Sequence, residues 1–133
     1  MNLNRRNFLL GSAAAATLAG CATNKVGLRE LKPGEKRRIA MIGCGIQQRN
    51  ALIPQFLNKN YNKTMTIVAV CDCDKTRAEA AAQKVNESYG NKNCAVVADF
   101  RDIINDPTID AVCIATPDHW HAYLCVEAMK HGK

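Results

Sequence analysis

The sequence predicts an α/β domain built on a doubly wound parallel sheet, with helices on both faces. Three observations carry this. From residue 37 onward, four short apolar runs alternate with segments of helical periodicity, the pattern of successive strand–helix units. The first run ends in Gly43-Cys44-Gly45 and the second in Cys71-Asp72, residue types suited to the carboxyl ends of parallel strands. The chain has 133 residues, room for one domain.

The elements follow in order. Ile39–Ile42 is an unbroken apolar run stopped by Gly43 and reads as a buried parallel strand. A helix is expected from about Ile46 to Asn58, with Leu52, Ile53, Phe56 and Leu57 on its apolar face. Pro54 lies inside it and should bend it or interrupt its hydrogen bonds. Thr66–Cys71 is the second strand. Ala78, Ala81, Ala82, Val85 and Tyr89 then repeat at helical spacing, with Gly90 as the stop. Ala95–Ala98 is the third strand, and Asp99 the N-cap of a short helix. Ala111–Ala115 is the fourth strand. A last helix runs from about Asp118, its expected cap, to Lys130, with Gly132 beyond it.

The residues before 37 read differently. Residues 1–24 hold two Arg and no acid, residues 25–38 six basic and two acidic residues, and residues 39–133 ten of each. The folded part is therefore neutral, which argues against nucleic-acid binding. No run is long and apolar enough to span a bilayer. Arg5-Arg6 before the mild apolar stretch Phe8–Gly20 has the pattern of a twin-arginine export signal. Leu18-Ala19-Gly20-Cys21 resembles a lipobox, in which Cys21 takes the lipid; the alternative is an ordinary signal with a chance cysteine. Residues 1–21 are thus expected to be an export signal and 22–36 a solvated linker, with the basic charge resting on an anionic membrane as the weaker reading. The product would be exported, as a periplasmic protein or membrane-anchored lipoprotein.

The chemistry is expected at the strand ends. Gly43 allows a tight turn, and Gly45 lets a pyrophosphate approach the backbone. The following helix N-terminus offers free N–H groups and a positive dipole end. Gln48 stands where a third Gly would permit close packing, so the first helix is expected to sit slightly farther out. Asp72 can accept both hydroxyls of an adenosine ribose, which favours NAD over NADP; Asp74 reads as a helix cap. Arg77 is either a 2′-phosphate contact or part of a solvated face. Thr116 and Pro117 close the fourth strand. His119 and His121 are two residues apart on a helix and point in different directions, which makes them poor joint metal ligands. His121 hydrogen-bonding a neighbouring loop and Trp120 merely packing are the plain alternatives. Seven cysteines invite a disulfide reading, but Cys71 and Cys113 fall in buried strands where a thiol behaves as a small apolar group, so no structural disulfide is expected.

The strand with its G-x-G turn, Val-Cys-Asp-x-Asp at 70–74 and Ala-Thr-Pro-Asp-His-Trp-His-Ala at 115–122 together resemble the Gfo/Idh/MocA oxidoreductases over residues 37–133. The resemblance implies a Rossmann domain followed by a second, open-sheet α/β domain, acting on sugars or polyols with NAD or NADP; with Asp72 present, NADP is the less expected cofactor. It places Gly43, Gly45, Ile46, Gln47, Asp72, Thr116, Pro117 and His121 at cofactor-contacting positions. In that family a Glu-Lys-Pro motif on the next strand carries the catalytic Lys. This sequence ends at His131-Gly132-Lys133, so the Rossmann domain is expected to be incomplete after its fourth strand–helix unit, with no substrate domain and no catalytic residue. Three readings follow for the longer protein: an exported sugar or polyol oxidoreductase, a relative that uses bound NAD for glycoside cleavage, or a non-catalytic lipid-anchored binding protein. The resemblance also implies a homo-oligomer with a sugar-like substrate, touching membrane only through an anchor or during export.

Overall fold

Ile39–Ile42 is apolar on both sides, and such a strand is stable only with a helical layer on each face. In the computed structural model, which describes residues 29–133, this run lies in β1 (Arg37–Ile42) in the sheet interior. The remaining strands are β2 (Met65–Cys71), β3 (Ala95–Val97) and β4 (Ala111–Ile114). All pair in parallel in the order β3-β2-β1-β4. The strand order reverses between β1 and β4, so the crevice above their carboxyl ends is where such sheets bind ligands. The expected export signal, residues 1–21 with Cys21, lies outside the described residues.

Helices cover both faces. One face packs Ile39, Met41, Ile67 and Val70 against α1 (Ile53–Leu57) and α2 (Lys75–Tyr89). The other packs Ala40, Ile42, Ala69 and Cys71 against α3 (Phe100–Asn105) and α4 (Asp118–Lys130). The Ala face of α2 is buried at each expected position, Ala78, Ala81, Ala82 and Val85. Tyr89 lies partly buried, its hydroxyl accepting the Ile67 N–H at 3.1 Å. Gly90 ends α2 at φ 64°, a conformation costly for any residue with a Cβ. A register shift between Ile39 and Ala40 of β1 leaves Val68 without a partner. That lets Ile67 and Ala69 serve opposite faces although they are two residues apart.

The first helix departs from the regular one expected. Its middle, Gln48–Leu52, is a π-helical turn that runs into α1. The Ile53 N–H reaches back five residues to the Gln48 carbonyl. Pro54 has no N–H, so the Arg49 carbonyl finds no donor in that pattern. Lys84 of α2 supplies one, its Nζ 2.7 Å away. Gln48, which stands where a third glycine would permit close packing, is fully buried, and the wide π turn begins at it.

Two further expectations are corrected. The α4 N-cap is Pro117, with no side-chain cap bond; Asp118 is the first helical residue. The stretch expected to be a solvated linker is anchored from Arg29 onward. Arg29 Nε and Nη2 donate to the two carboxylate oxygens of Asp110 at 3.0 Å each, and Arg29 also pairs with Glu35. Asp110, just before β4, has only 1% of its side chain exposed and also accepts the Arg38 N–H at 2.7 Å. Burial pushes its carboxyl pKa up, but the hydrogen bonds from Arg29 and Arg38 outweigh this and hold it below the usual value.

Candidate functional site

The β1 exit is shaped by a backbone requirement. Gly43 has φ 86°, and a Cβ there would lie 2.7 Å from the Ala115 carbonyl oxygen and 3.0 Å from Thr116 Cγ2. The chain turns there between the ends of two neighbouring strands. The Gly43 N–H donates to the Cys71 carbonyl of β2 at 2.8 Å. On the other side, the Ala115 N–H donates to the Ile42 carbonyl at 2.8 Å. Gly45 differs: its φ is not positive, and a Cβ added there would meet nothing within 4 Å. The protein's own packing does not require glycine at that position, which opens onto a cavity of about 600 Å³.

That cavity gathers Gly43, Gly45, Ile46, Gln47, Asp72, Thr116 and Pro117, seven of the eight expected positions. Ile46 is largely exposed, and the first-turn N–H groups that follow have no helical partners. Thr116 Oγ1 is buried without a hydrogen-bond partner, an arrangement folded proteins rarely leave unused. His121 is the exception. It is exposed and does not line the cavity; His119, about 200° away around the helix, does, together with Trp120.

Asp72 has a second role not visible in the sequence. One carboxylate oxygen accepts the Cys44 N–H at 2.7 Å and the other the Asp74 N–H at 2.9 Å. It therefore fastens the glycine turn to the end of β2; the oxygen bonded to Asp74 also accepts the Cys73 thiol at 3.6 Å, while the oxygen bonded to Cys44 keeps a further lone pair for a ligand donor. Asp74 caps α2, accepting the Thr76 and Arg77 N–H groups at 2.9 and 3.3 Å. Arg77 lines the cavity, yet its Nε sits 3.2 Å from Asp74. The floor is apolar. The Cys44 and Cys71 thiols are pushed up to about 12, chiefly by burial and then by the Asp72 charge, so neither is a nucleophile at neutral pH. All six described cysteines are free thiols, and no cluster of metal-ligating side chains exists among the described residues.

Ala98 and Phe100, at the end of β3, complete the wall. The strand-end rule points to that place, but neither residue carries reactive chemistry to draw attention to it. The donor set suits a dinucleotide: an open glycine, free helix N–H groups, a carboxylate at the end of β2 and an unsatisfied threonine hydroxyl.

The comparisons agree with this geometry. The model of the Gfo/Idh/MocA family, described as an oxidoreductase family with an NAD-binding Rossmann fold, matches residues 37–133. A glycosyl hydrolase family 109 protein 2 of Shewanella sp. (strain ANA-3) is 32% identical over 98% of this chain and 32% of its own length. An alpha-N-acetylgalactosaminidase of Shewanella oneidensis is 25% identical over 99% of this chain and 32% of its own. The chain spans about a third of the length of the curated relatives it matches. Among solved structures, the myo-inositol dehydrogenase of Lactobacillus casei, in complex with NAD(H) and myo-inositol, matches with a TM-score of 0.60 at 28% identity. That match covers 72% of this chain and 26% of the dehydrogenase. Levoglucosan dehydrogenase in complex with NADH matches with a TM-score of 0.56 at 27% identity, over 74% and 26% of the two chains. Family match, strand order and glycine turn converge: the chain belongs to the Gfo/Idh/MocA oxidoreductases and carries their NAD-binding Rossmann domain.

Proposed function

We propose that the cavity at the strand ends holds NAD, and that this domain serves an enzyme acting on a sugar or polyol. The observation that carries the reading is the open Gly45 position facing Asp72 across one cavity. Gly45 and the helix N-terminus hold the pyrophosphate, Asp72 accepts the ribose hydroxyls, and Thr116 offers its unpaired hydroxyl. Asp72 also keeps the glycine turn in shape before any ligand arrives. The apolar floor at Ile42 and Leu124 excludes water beneath the cofactor. When bound, NAD supplies a reversible two-electron oxidation at its nicotinamide ring. Calorimetric titration of the chain with NAD tests the reading; absence of saturable binding would reject it.

A second reading concerns the net reaction. The relatives cited above are named glycosyl hydrolase family 109 protein and alpha-N-acetylgalactosaminidase. Those names favour glycoside cleavage; joined to the NAD reading, the cofactor would be regenerated in each turnover. Sugar release without net NADH accumulation by the complete enzyme supports this reading, and stoichiometric NADH supports the oxidoreductase.

The amino-terminal pattern adds an address. Arg5-Arg6 and Leu18-Ala19-Gly20-Cys21 support export through the twin-arginine route and lipidation of Cys21, which would place the protein in the periplasm or on the membrane surface. Intact mass of the processed protein from a membrane fraction tests this. A soluble product starting beyond Cys21 without lipid would reject the anchor. A homo-oligomer is the proposed assembly of the complete enzyme, to be read from its mass in solution.

A further inference from the structure

The helix that follows the glycine turn has a gap near its start. Its π turn and Pro54 together leave the Arg49 carbonyl without a main-chain donor. Lys84 of α2 takes that carbonyl, its Nζ at 2.7 Å. The root of the lysine is fixed, because Ala81, Ala82 and Val85 beside it are buried and Asp74 caps the same helix. Glu87, three residues on, is the acid that helical spacing offers to Lys84. Glu87 instead accepts from Gln83 at 2.7 Å. Among the described residues no carboxylate lies within ion-pair distance of the Lys84 ammonium. This lysine is thus turned from its own helix face onto a carbonyl of another helix. Arg49 carries the link onward. Its N–H donates to the Gly45 carbonyl at 3.1 Å, closing the first turn around Ile46 and Gln47, which line the cavity.

We infer that Lys84 is a positioning residue for the pyrophosphate of the dinucleotide, acting through Arg49 on the first helical turn, an inference that rests on the NAD reading above. Lys84 does not line the cavity, so its effect is on geometry and not by contact. Two hydrogen bonds in series join it to Gly45. Asp72 holds the turn from the other side through the Cys44 N–H. Donors fixed in this way before the ligand arrives are spared the cost of ordering on binding. The competing account is a lysine charge that attracts the pyrophosphate through space. Salt separates the two, because high ionic strength screens a through-space charge and leaves a hydrogen-bonded frame in place.

The experiment compares the whole chain with its Lys84→Met and Lys84→Arg variants. NAD is titrated calorimetrically at low salt and at about 1 M salt, and amide hydrogen exchange is followed by NMR in the ligand-free proteins. Relative to the parent at the same salt, Lys84→Met is expected to bind NAD about tenfold more weakly in both conditions. Its Arg49 amide should exchange about tenfold faster, while the β1 and β2 amides keep their parent rates. Lys84→Arg retains a charged donor and should recover most of the affinity. Unchanged NAD affinity in Lys84→Met overturns the inference and leaves the NAD reading standing. A loss that disappears at high salt overturns it too, by assigning the effect to charge. Unchanged exchange at Arg49 overturns it whatever NAD does. Faster exchange throughout the sheet, or loss of the folded state, marks a role in stability alone and likewise overturns it. No saturable NAD binding by the parent rejects the NAD reading and this inference with it.

Discussion

Gly43 and Gly45 stand two residues apart in one turn, and the same substitution should do opposite things at the two positions. Gly43→Ala forces a side chain into φ 86°, at a cost of about 1–2 kcal/mol. The new Cβ meets the Ala115 carbonyl oxygen at 2.7 Å and its carbon at 2.8 Å. These are backbone atoms, tied by the Ala115 N–H bond to Ile42, so they yield only by parting β1 from β4. Overpacking of that kind adds about 1–3 kcal/mol. Against a total stability of about 5–15 kcal/mol, a combined loss of about 3 kcal/mol should lower the Tm by roughly 10–20 °C. Gly45→Ala meets no atom within 4 Å and no positive φ. The free protein should be unchanged or gain up to about 1 kcal/mol from a stiffer unfolded chain. Its methyl group, however, projects where the pyrophosphate must approach, and NAD affinity should fall about tenfold or more. Thermal melts and calorimetric titration of the two variants separate the roles. A Gly43→Ala protein that melts like the parent would refute the strand-end argument. A Gly45→Ala protein that keeps full NAD affinity would refute the cradle.

Three other outcomes are expected. Asp72→Asn keeps the shape but removes the charge and one carboxylate acceptor. Two charges about 4 Å apart at an effective dielectric of about 20 interact by about 4 kcal/mol, and a third of that is roughly tenfold. The ratio of NADP to NAD affinity should therefore rise about tenfold, while both cofactors bind more weakly because the Cys44 and Asp74 N–H groups compete for one good acceptor. An unchanged ratio would acquit Asp72 as the selector. Asp110→Asn should cost about 2 kcal/mol at neutral pH. Its folded pKa lies below the unfolded one, so the stabilisation is complete above about pH 4 and fades as pH falls through the folded value. Denaturant midpoints of parent and variant should converge in acid, and a constant gap down to that range would contradict the pairing. Finally, alkylation of the native chain at pH 8 should label exposed Cys73 well before Cys44 and Cys71, whose buried thiols titrate near 12. Peptide mass mapping that finds Cys44 labelled first would count against the packed floor.

The features legible in the sequence are those written in local periodicity. The run Ile39–Ile42 and the Ala78–Val85 spacing place a strand and a helix face because burial acts on near neighbours in the chain. Two caps were equally plain: Asp74 and Asp99 precede helical runs, and both accept first-turn N–H groups. The features not legible depend on contacts across the chain. Asp72 and Cys44 are 28 positions apart, Arg29 and Asp110 are 81, and no local pattern announces either pair. Pro54 signalled trouble in its helix but not the remedy, a π turn with a lysine borrowed from another helix. The choice between His119 and His121 turns on the rotation of α4 about its axis, which is set by the burial of Leu124 and Ala128 beneath it.

Arg29 grips Asp110 at one end of the described chain, and at the other Lys133 Nζ donates to the Asp106 and Ile109 carbonyls. Both ends are thus moored to the single loop that leads into β4. That loop lies at the amino edge of the sheet, the four-residue length of β4, about 13 Å, from the cavity. Traction on either end is borne there, and the cofactor mouth lies out of its path. Neither contact touches the glycine turn, whose own bonds run to Cys71 and Asp72. The domain behaves as a socket wired from behind, its opening left clear for the ligand.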